Sequence, residues 1–480
     1  MEEAPLLPEV AYGSGCDRSQ QACKWKPALH LLVLGLSFAA LACTQLPEVR
    51  YLKTPLHPET RQPAANAPVG IAAGKTDALL SQRLADAGID IPHRPALEWA
   101  ATGHSLIPGN KVALLSDGPE TMDAMYAAIS AAKDSINLET FIFEQDELGT
   151  KFSDLLISQQ RAGVQVNIIY DCVGTLGTPE AFFTHMREAG IQLCPFNPVN
   201  PLRRLGHWRI NHRDHRKILV VDGTVAFTGG ANISATYAHG SLFHRKSKKP
   251  TSLGWRDTHL RIEGPAVAAL QLLFVENWLS QRADGLNAKT LFPPLAEAGD
   301  KTVRVLGSQP GSDFEVYRAY VQAIEHATRT IHLTAAYFVP DAQVVRTLAD
   351  AAHRGVEVQI ILTSVSDNGL VHQASQSYYQ DLLQAGIQVF QLKSSILHAK
   401  TAVIDGVWST VGSTNMDMRS FLFNKEVNVI VLGDPFGREM ESAFREDLKN
   451  SKEVVAKDWD QRPRADHVKE WAARILEPLL

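Results

Sequence analysis

Two stretches of the sequence share one pattern of polar residues: HRKILVVDGTVAFTGGAN at residues 215–232 and HAKTAVIDGVWSTVGSTN at residues 398–415. Each begins with a histidine, has a lysine two positions later, and continues through an aspartate to an asparagine, with identical spacing. A histidine and a lysine at this distance are common by chance, but a doubled pattern of this length is not. The repetition therefore predicts one functional site that is built from both copies.

Between the lysine and the aspartate, each copy has an apolar run that predicts a buried β-strand. Because side chains alternate along a strand, the histidine and lysine of each copy lie on one face. Two such faces together would form an anion site with two imidazoles that titrate near neutral pH. We predict the following catalytic residues: His215, Lys217, Asp222, His398, Lys400 and Asp405. Asn232 and Asn415 are predicted to support the site or bind a substrate phosphate through their amides.

A phosphodiester is the substrate that suits this set of residues. The lysines and asparagines would stabilise negative charge on the phosphate oxygens. One neutral histidine would attack phosphorus, and the other, protonated, would donate a proton to the leaving alkoxide. These opposite protonation states predict that the surroundings push the two histidine pKa values apart. Since the cationic side chains already stabilise the charge, the sequence predicts neither a metal nor another cofactor.

The motifs end two longer segments that resemble each other. The first segment contains INLETFIF from Ile136 and AGVQVNIIY from Ala162, and the second contains IHLTAAYFVP from Ile331 and RGVEVQIIL from Arg354. Helical patterns precede and follow these strand-like runs. The alternation predicts an α/β fold with two repeated domains, each a mixed β-sheet flanked by helices, related by a pseudo-twofold axis.

Composition shifts predict four parts of the chain. These are a signal or anchor segment at 1–46, a linker and N-terminal extension at 47–109, a first domain at 110–290, and a second domain with a C-terminal tail at 291–480. Proline is frequent from residue 47 to 68, which is typical of a linker.

The N-terminal segment predicts attachment to a membrane. Lys24 and Lys26 precede an apolar run at residues 28–42, as in secretory signals. Cys43 follows in a context similar to a lipoprotein cleavage site, so a lipidated cysteine and an uncleaved anchor are alternatives. We expect association with a bacterial membrane, on its periplasmic face.

Overall composition excludes several classes of protein. The 480 residues are 45% hydrophobic, which is enough to bury large cores. A formal net charge of -5, without aromatic residues interleaved among basic ones, argues against nucleic acid as a partner. Five scattered cysteines predict neither a disulfide framework nor a zinc site.

Further stretches are similar to the bacterial cardiolipin synthase branch of the phospholipase D superfamily: Trp255-Arg256-Asp257, AAYFVP from Ala335 and NMDMRS from Asn415. The resemblance implies transfer of a phosphatidyl group between phospholipids through a phosphohistidine, with phosphatidylglycerol as the default donor and acceptor. It implies that Asp257 and Glu426 orient the catalytic histidines. Ordinary structural ion pairs are the alternative for these two carboxylates.

The resemblance also implies that His215 is the nucleophile and His398 the acid and base. Two other functions stay open, a phospholipase D that uses water and a membrane-tethered nuclease. The nuclease is disfavoured because nucleases of this superfamily tend to have one motif copy. A basic loop at residues 244–249 is either a solvated loop or a contact for anionic lipid head groups.

Overall fold

Strands and helices alternate because apolar positions switch between a period of two and a period near 3.6. A computed structural model describes residues 46–49, 106–200, 209–238, 254–281, 283, 285–311, 314–366 and 368–475. In the first half the elements are β1 Ile107–Leu115, α1 Gly118–Ser130, β2 Ser135–Thr140, α2 Glu147–Arg161, β3 Gln165–Asp171, α3 Glu180–Glu188, β4 Gln192–Phe196, β5 Arg213–Asp214, β6 Ile218–Val221, β7 Val225–Gly229, α4 Ala235–Ala238, β8 Trp255–Arg256, β9 His259–Glu263, α5 Val267–Ser280 and α6 Ala288–Leu291.

The second half repeats this order. Its elements are β10 Lys301–Ser308, α7 Glu315–Glu325, β11 Thr330–Ala335, β12 Phe338–Val339, α8 Ala342–His353, β13 Glu357–Thr363, α9 Gly369–Gln376, α10 Tyr379–Gln384, β14 Gln388–Leu392, β15 Ile396–Leu397, β16 Lys400–Ile404, β17 Trp408–Gly412, β18 Met416–Asp417, α11 Met418–Leu422, β19 Asn424–Leu432, α12 Asp434–Lys449, β20 Ser451–Glu453, α13 Ala456–Asp460 and α14 Arg464–Ile475. The predicted α/β repeat is confirmed.

The strands predicted from the repeat lie in matching places of the two halves. In the first half β2 is parallel to β3 and β3 to β4, and in the second half β11 is parallel to β13 and β13 to β14. The motif strands β6 and β16 add to β2 and β11 in antiparallel orientation. Each half is therefore a mixed sheet, as the sequence predicts.

The two half-sheets are joined edge to edge. Strand β1 pairs antiparallel with β10, and the order β4-β3-β2-β6-β7-β9-β1 on one side is mirrored by β14-β13-β11-β16-β17-β19-β10 on the other. Within the described residues, one continuous sheet of 16 strands results. The pseudo-twofold relation is thus built on direct strand pairing between the repeats.

A shared core fixes how the repeats pack. Buried aliphatic side chains from both halves form one cluster, which includes Val220 and Leu260 of the first repeat and Val403 and Val429 of the second. Each half also has its own cluster beneath its helices. Since apolar burial is the main stabilising term in folding, this shared cluster holds the two motif strands in a fixed relation.

The predictions for residues 1–45 lie outside the described residues. Residues 46–49 pack on α8, where Val49 is buried and its amide donates to Gln343 Oε1 at 2.9 Å. In the part of the chain that the structure describes, no helix has the length and apolarity needed to span a bilayer. The predicted division between residues 290 and 291 stays a prediction.

Candidate active site

Each motif histidine is held by strand pairing with the opposite repeat. Just before His215, β5 pairs with the start of β19, and the His215 amide donates to the Lys425 carbonyl at 2.9 Å. Just before His398, β15 pairs with β8, and the His398 amide donates to the Arg256 carbonyl at 2.8 Å. The next residue along each partner segment is a carboxylate. The pairing therefore brings each carboxylate beside the histidine of the other copy.

Two crossed imidazole–carboxylate pairs result. His215 Nδ1 lies 3.0 Å from Glu426 Oε1, and His398 Nδ1 lies 2.7 Å from Asp257 Oδ2. All four side chains are buried. Because an ionised carboxylate only accepts hydrogen bonds, each Nδ1 carries the proton, and each Nε2 is left to react. The two carboxylates thus lie where they can orient the histidines, each acting on the histidine of the other repeat.

Lys217 and Lys400 occupy matching positions beside these pairs. Lys217 Nζ donates to the His215 carbonyl at 2.6 Å, and Lys400 Nζ donates to the His398 carbonyl. Both lysines are buried, and burial lowers the pKa of Lys217 to about 7. The charge of Lys400 also acts on His215 and Lys217 of the other repeat. Both motifs therefore contribute to one electropositive site, as strand alternation predicts.

The two histidines have similar electrostatic surroundings. Burial lowers the pKa of His215 to about 4, against the opposing effect of Glu426. Burial, together with Lys400, also lowers the pKa of His398 to about 4, against the effect of Asp257. Both shifts have the same direction and the same main cause, and the predicted separation of the two pKa values stays a prediction. Pseudo-symmetry gives each ring one carboxylate and one lysine.

The two motif asparagines have different partners. Asn232 Nδ2 donates to Tyr237 Oη at 2.9 Å, and its Oδ1 accepts from the Ile142 amide at 3.2 Å. Both ends of Asn232 are engaged by protein, which suits the supporting role among the two roles predicted for it. Asn415 is buried, and its Oδ1 has no hydrogen-bond partner among the described residues. Its Oδ1 can only accept, so the contact that Asn415 can offer a phosphate oxygen is from its Nδ2, which has no hydrogen bond to the described residues either.

Asp222 and Asp405 lie at the far ends of their motif strands from the histidines, and their predicted catalytic role stays a prediction. Each follows its motif strand, about 20 Å from the histidine for an extended segment of this length, in a turn with φ of 51° or 53°. The Asp222 carboxylate accepts from the amides of residues 133–135 at 2.8–3.1 Å. The Asp405 carboxylate accepts from the amides of residues 328–330 at 2.7–2.9 Å. Both therefore fasten a hairpin turn to the segment before the neighbouring strand.

A sequence signal for this structural role was available. In both copies the aspartate is followed by glycine, between two apolar runs. Asp-Gly is a strong hairpin signal because both residues tolerate positive φ. Gly223 and Gly406 have φ of 61° and 69°. The motif aspartate is thus a turn residue that the catalytic pattern concealed.

Aromatic rings pack against both histidines, and these rings come from residues outside the two motifs. The Phe141 ring centroid lies 5.1 Å from that of His215. The centroids of Trp255 and Tyr237 lie 5.0 Å and 5.4 Å from that of His398. These rings pack against the imidazoles and restrict their orientation. Trp255 belongs to a stretch quoted for the family resemblance, whereas Phe141 and Tyr237 had no comparable signal.

A buried polar network lies behind the first histidine pair. Asn277 Nδ2 donates to Glu139 Oε1 at 2.9 Å and to Asp214 Oδ2 at 2.7 Å, and Lys425 Nζ donates to Asn277 Oδ1 at 2.8 Å. Burial and the nearby Glu139 raise the pKa of Asp214 well above its usual value. Asp214 and Lys425 directly precede the two members of the pair in sequence. The network therefore fixes the two strands that carry His215 and its carboxylate.

Comparison with known proteins agrees with this geometry. The family described as cardiolipin synthase, phospholipase D-like domain, matches residues 125–241 and 320–448, one segment in each repeat. The cardiolipin synthase of Geobacillus kaustophilus strain HTA426 is 35% identical over 395 residues, covering 81% of this chain and 77% of that protein. The major cardiolipin synthase of Bacillus subtilis strain 168 is 35% identical over 376 residues, covering 77% of this chain and 76% of that protein.

The fold itself is similar to the crystal structure of phosphatidylserine synthase from Haemophilus influenzae Rd KW20. The TM-score is 0.61 at 13% identity, covering 80% of this chain and 100% of that chain. The fold and the doubled motif define an enzyme of the phospholipase D superfamily. Within that superfamily the chain belongs to the cardiolipin synthase family, and it is a phosphatidyltransferase that acts on phospholipids.

Proposed function

We propose that this enzyme joins two molecules of phosphatidylglycerol into cardiolipin and releases glycerol, through a phosphohistidine intermediate. The crossed His215–Glu426 and His398–Asp257 pairs carry this proposal. They place two imidazoles with free Nε2 atoms in one electropositive site, which suits two successive displacements at phosphorus. The curated relatives named cardiolipin synthase support the choice of lipid product.

In the first step His215 Nε2 attacks phosphorus. The N–P bond forms, the P–O bond to the glycerol head group breaks, and protonated His398 donates a proton to the departing alkoxide. Lys217, Lys400 and Asn415 stabilise the charge on the phosphate oxygens. In the second step a hydroxyl of another phosphatidylglycerol gives its proton to His398 and attacks phosphorus. The new P–O bond forms as the N–P bond breaks.

Substrate binding supplies the protonation state that this order requires. In the free site burial keeps the pKa of His398 at about 4. A phosphodiester anion beside the ring raises that pKa, because a nearby negative charge favours the imidazolium. The nucleophile, His215, is neutral because its single ring proton lies on Nδ1, which faces Glu426, and its Nε2 is unprotonated. Phosphate binding thus prepares the acid.

Transfer rather than hydrolysis is favoured by burial. His215 and His398 are only 9% and 7% exposed, and aromatic rings stand beside both. Restricting water protects a phosphohistidine from hydrolysis until a second lipid arrives. A lipid hydroxyl is brought to the site by its own binding energy, which water lacks.

The decisive experiment is incubation of the purified protein with phosphatidylglycerol in vesicles, with lipid products identified by mass spectrometry. We expect cardiolipin and an equal amount of glycerol. Phosphatidic acid as the main lipid product would instead establish a hydrolase. His215→Asn protein is the matched control, because it keeps a polar side chain of similar size without the nucleophilic nitrogen.

A second experiment tests which histidine is the nucleophile. In His398→Asn protein, a substrate with an activated leaving group needs no proton for departure, so a phosphatidyl adduct should accumulate on His215. Intact-mass and peptide analysis would locate it. An adduct on His398 in His215→Asn protein, with none in the converse variant, would reverse the assignment.

The N-terminal segment, with Lys24, Lys26 and the apolar run at residues 28–42, supports attachment to the periplasmic face of a bacterial membrane. Cys43 is the candidate for lipidation within this anchor. Protein without residues 1–43 should leave the membrane fraction and keep its fold. Continued sedimentation with membranes would place the attachment elsewhere in the chain.

A further inference from the structure

A cavity of about 320 Å³ opens at the end of the second half-sheet, between the sheet and α7. Its volume lies within the range of small-molecule sites, about 300–1,000 Å³. The walls are mainly apolar, with Ala319 and Ala323 on the helix and Trp408, Ile430 and Leu432 on the sheet. The reaction described above uses none of these residues.

A buried cation lines this apolar space. Arg304, on β10, is only 6% exposed. Within the described part of the chain, its Nε and Nη2 have no hydrogen-bond partner, and no carboxylate forms an ion pair with it. Glu315 attracts its charge from beyond ion-pair distance, whereas Arg318 repels it. A buried guanidinium without a partner lowers stability, unless a ligand supplies the missing negative charge.

The first repeat has a different arrangement at the corresponding place. Strand β10 pairs with β19 so that Arg304 lies opposite Ile430, and β1 pairs with β9 so that Ala113 lies opposite Arg261. Arg261 is partly exposed, and its Nη1 lies 3.0 Å from Glu263 Oε1. The arginine of the first repeat thus has a carboxylate partner and is partly exposed, whereas the arginine of the second is buried and, among the described residues, has no carboxylate partner.

The cross-strand pairs two residues farther along β9 and β19 also differ between the repeats, again with charge in the first and apolar side chains in the second. In the first repeat Val225 lies opposite Glu263, and in the second Trp408 lies opposite Leu432. In the described part of the chain, an apolar wall beside Arg304 therefore stands where the first repeat has a charged, partly exposed surface. An apolar wall and a single cation together match a ligand that has an alkyl chain and an anionic head.

We propose that this cavity binds an anionic amphiphile, with its phosphate or carboxylate head on Arg304 and its alkyl chain along Trp408 and Leu432. The guanidinium fork can bind either head group through two parallel hydrogen bonds. Gln322 also borders the cavity and can add a neutral donor. Asp405 lies at the border too, but its carboxylate is already held by backbone amides.

This site is separate from the catalytic one. Strand β16 runs between His398 and Asp405, and β19 carries Glu426 near one end and Leu432 at the other. The catalytic residues lie at one end of these strands and the cavity at the opposite end, about 20 Å away for extended segments of this length. The amphiphile is therefore a second ligand, distinct from the reacting lipids.

Thermal unfolding of the full chain, followed by intrinsic fluorescence, tests the proposal with three soluble probes of equal chain length. Octyl phosphate and octanoate should each raise the unfolding midpoint by about 2 °C or more at saturation. Octyltrimethylammonium, with the same chain and the opposite charge, should not. The stronger of the two anions identifies the head group as phosphate or carboxylate. An equal response to the cation would overturn the proposal.

Two variants separate this cavity from the catalytic site, which also binds phosphate. Arg304→Met removes the charge at similar length, so it should abolish the octanoate response and leave the ligand-free midpoint equal or higher. Ala323→Leu fills the cavity from the helix and keeps Arg304. It should lower the affinity of the cavity for both anions at least tenfold. Both variants should keep full transferase activity at saturating substrate. An octanoate response that survives in both variants would overturn the proposal.

Discussion

The two repeats have the same histidine and lysine spacing but differ in the residues that hold the imidazoles. The first repeat has Gly230 and Asp257 where the second has Ser413 and Glu426. A side chain at Gly230 would place its Cβ 2.1 Å from Asp257 Oδ1. Ser413 instead donates to Glu426 Oε2 at 2.5 Å.

The difference shows that each carboxylate and its small neighbour form a matched pair. Aspartate, which is shorter, reaches its histidine only if the neighbouring position has no side chain. Glutamate is longer, and both of its oxygens lie 3.0 Å from His215 Nδ1 while Oε2 also accepts from the serine hydroxyl. The repeats therefore preserve the imidazole–carboxylate distance by different means.

The largest expected effect comes from breaking the crossed pairs. Glu426→Gln and Asp257→Asn should each lower kcat by about 10²–10⁴-fold, because neither amide stabilises an imidazolium. In double variants, Glu426→Gln should add almost nothing to His215→Asn. Steady-state and single-turnover rates would measure this.

Combining Glu426→Gln with His398→Asn tests whether each carboxylate serves the histidine of the other repeat. Glu426 should couple with His215 and not with His398. If Glu426→Gln instead proved redundant with His398→Asn, the carboxylate would serve the histidine of its own repeat. Circular dichroism of each variant would establish that the fold is kept.

Substituting the small residue beside each carboxylate, Gly230 or Ser413, should lower kcat less, and by unequal factors. Gly230→Ala displaces Asp257 and should lower kcat about 10²-fold, because small misplacements of a catalytic group are costly. Ser413→Ala removes one hydrogen bond to Glu426 and should cost about tenfold or less. Equal losses in the two variants would contradict the matched-pair interpretation.

The pH dependence should report the coupling between the two lysines. Lys217 acts as a cation, and burial lowers its pKa to about 7. As pH rises through this value the charge is lost, so kcat/KM should fall about tenfold per pH unit on the alkaline side.

Lys400 lowers the pKa of Lys217 further. Lys400→Met should therefore move the alkaline limb of the kcat/KM profile to higher pH, although the remaining activity is lower. If the limb does not move, a group other than Lys217 causes it.

The smallest effect on catalysis is expected at the motif aspartates. Asp222→Asn and Asp405→Asn keep a residue that tolerates positive φ but weaken the bonds to backbone amides. Each should lower the free energy of unfolding by about 1–2 kcal/mol and change kcat by no more than about twofold. Denaturant titrations and initial rates would measure the two quantities. A thousandfold loss of kcat in a stable variant would confirm the catalytic role predicted from sequence.

The sequence by itself determined the repeated α/β fold and the paired motifs. Hydrophobic periodicity and identical spacing are local properties, and they correctly gave the strands of both half-sheets. The sequence also gave the two carboxylates, since the family resemblance marks their positions.

Tertiary structure decided which carboxylate serves which histidine. That choice follows from the pairing of β5 with β19 and of β15 with β8, between segments far apart in the chain. Local patterns do not encode such pairing, because it depends on how the shared core packs the two halves. For the same reason only the folded chain shows that Asn232 is engaged by Tyr237 and that the buried Arg304 has no partner for its Nε and Nη2 among the described residues.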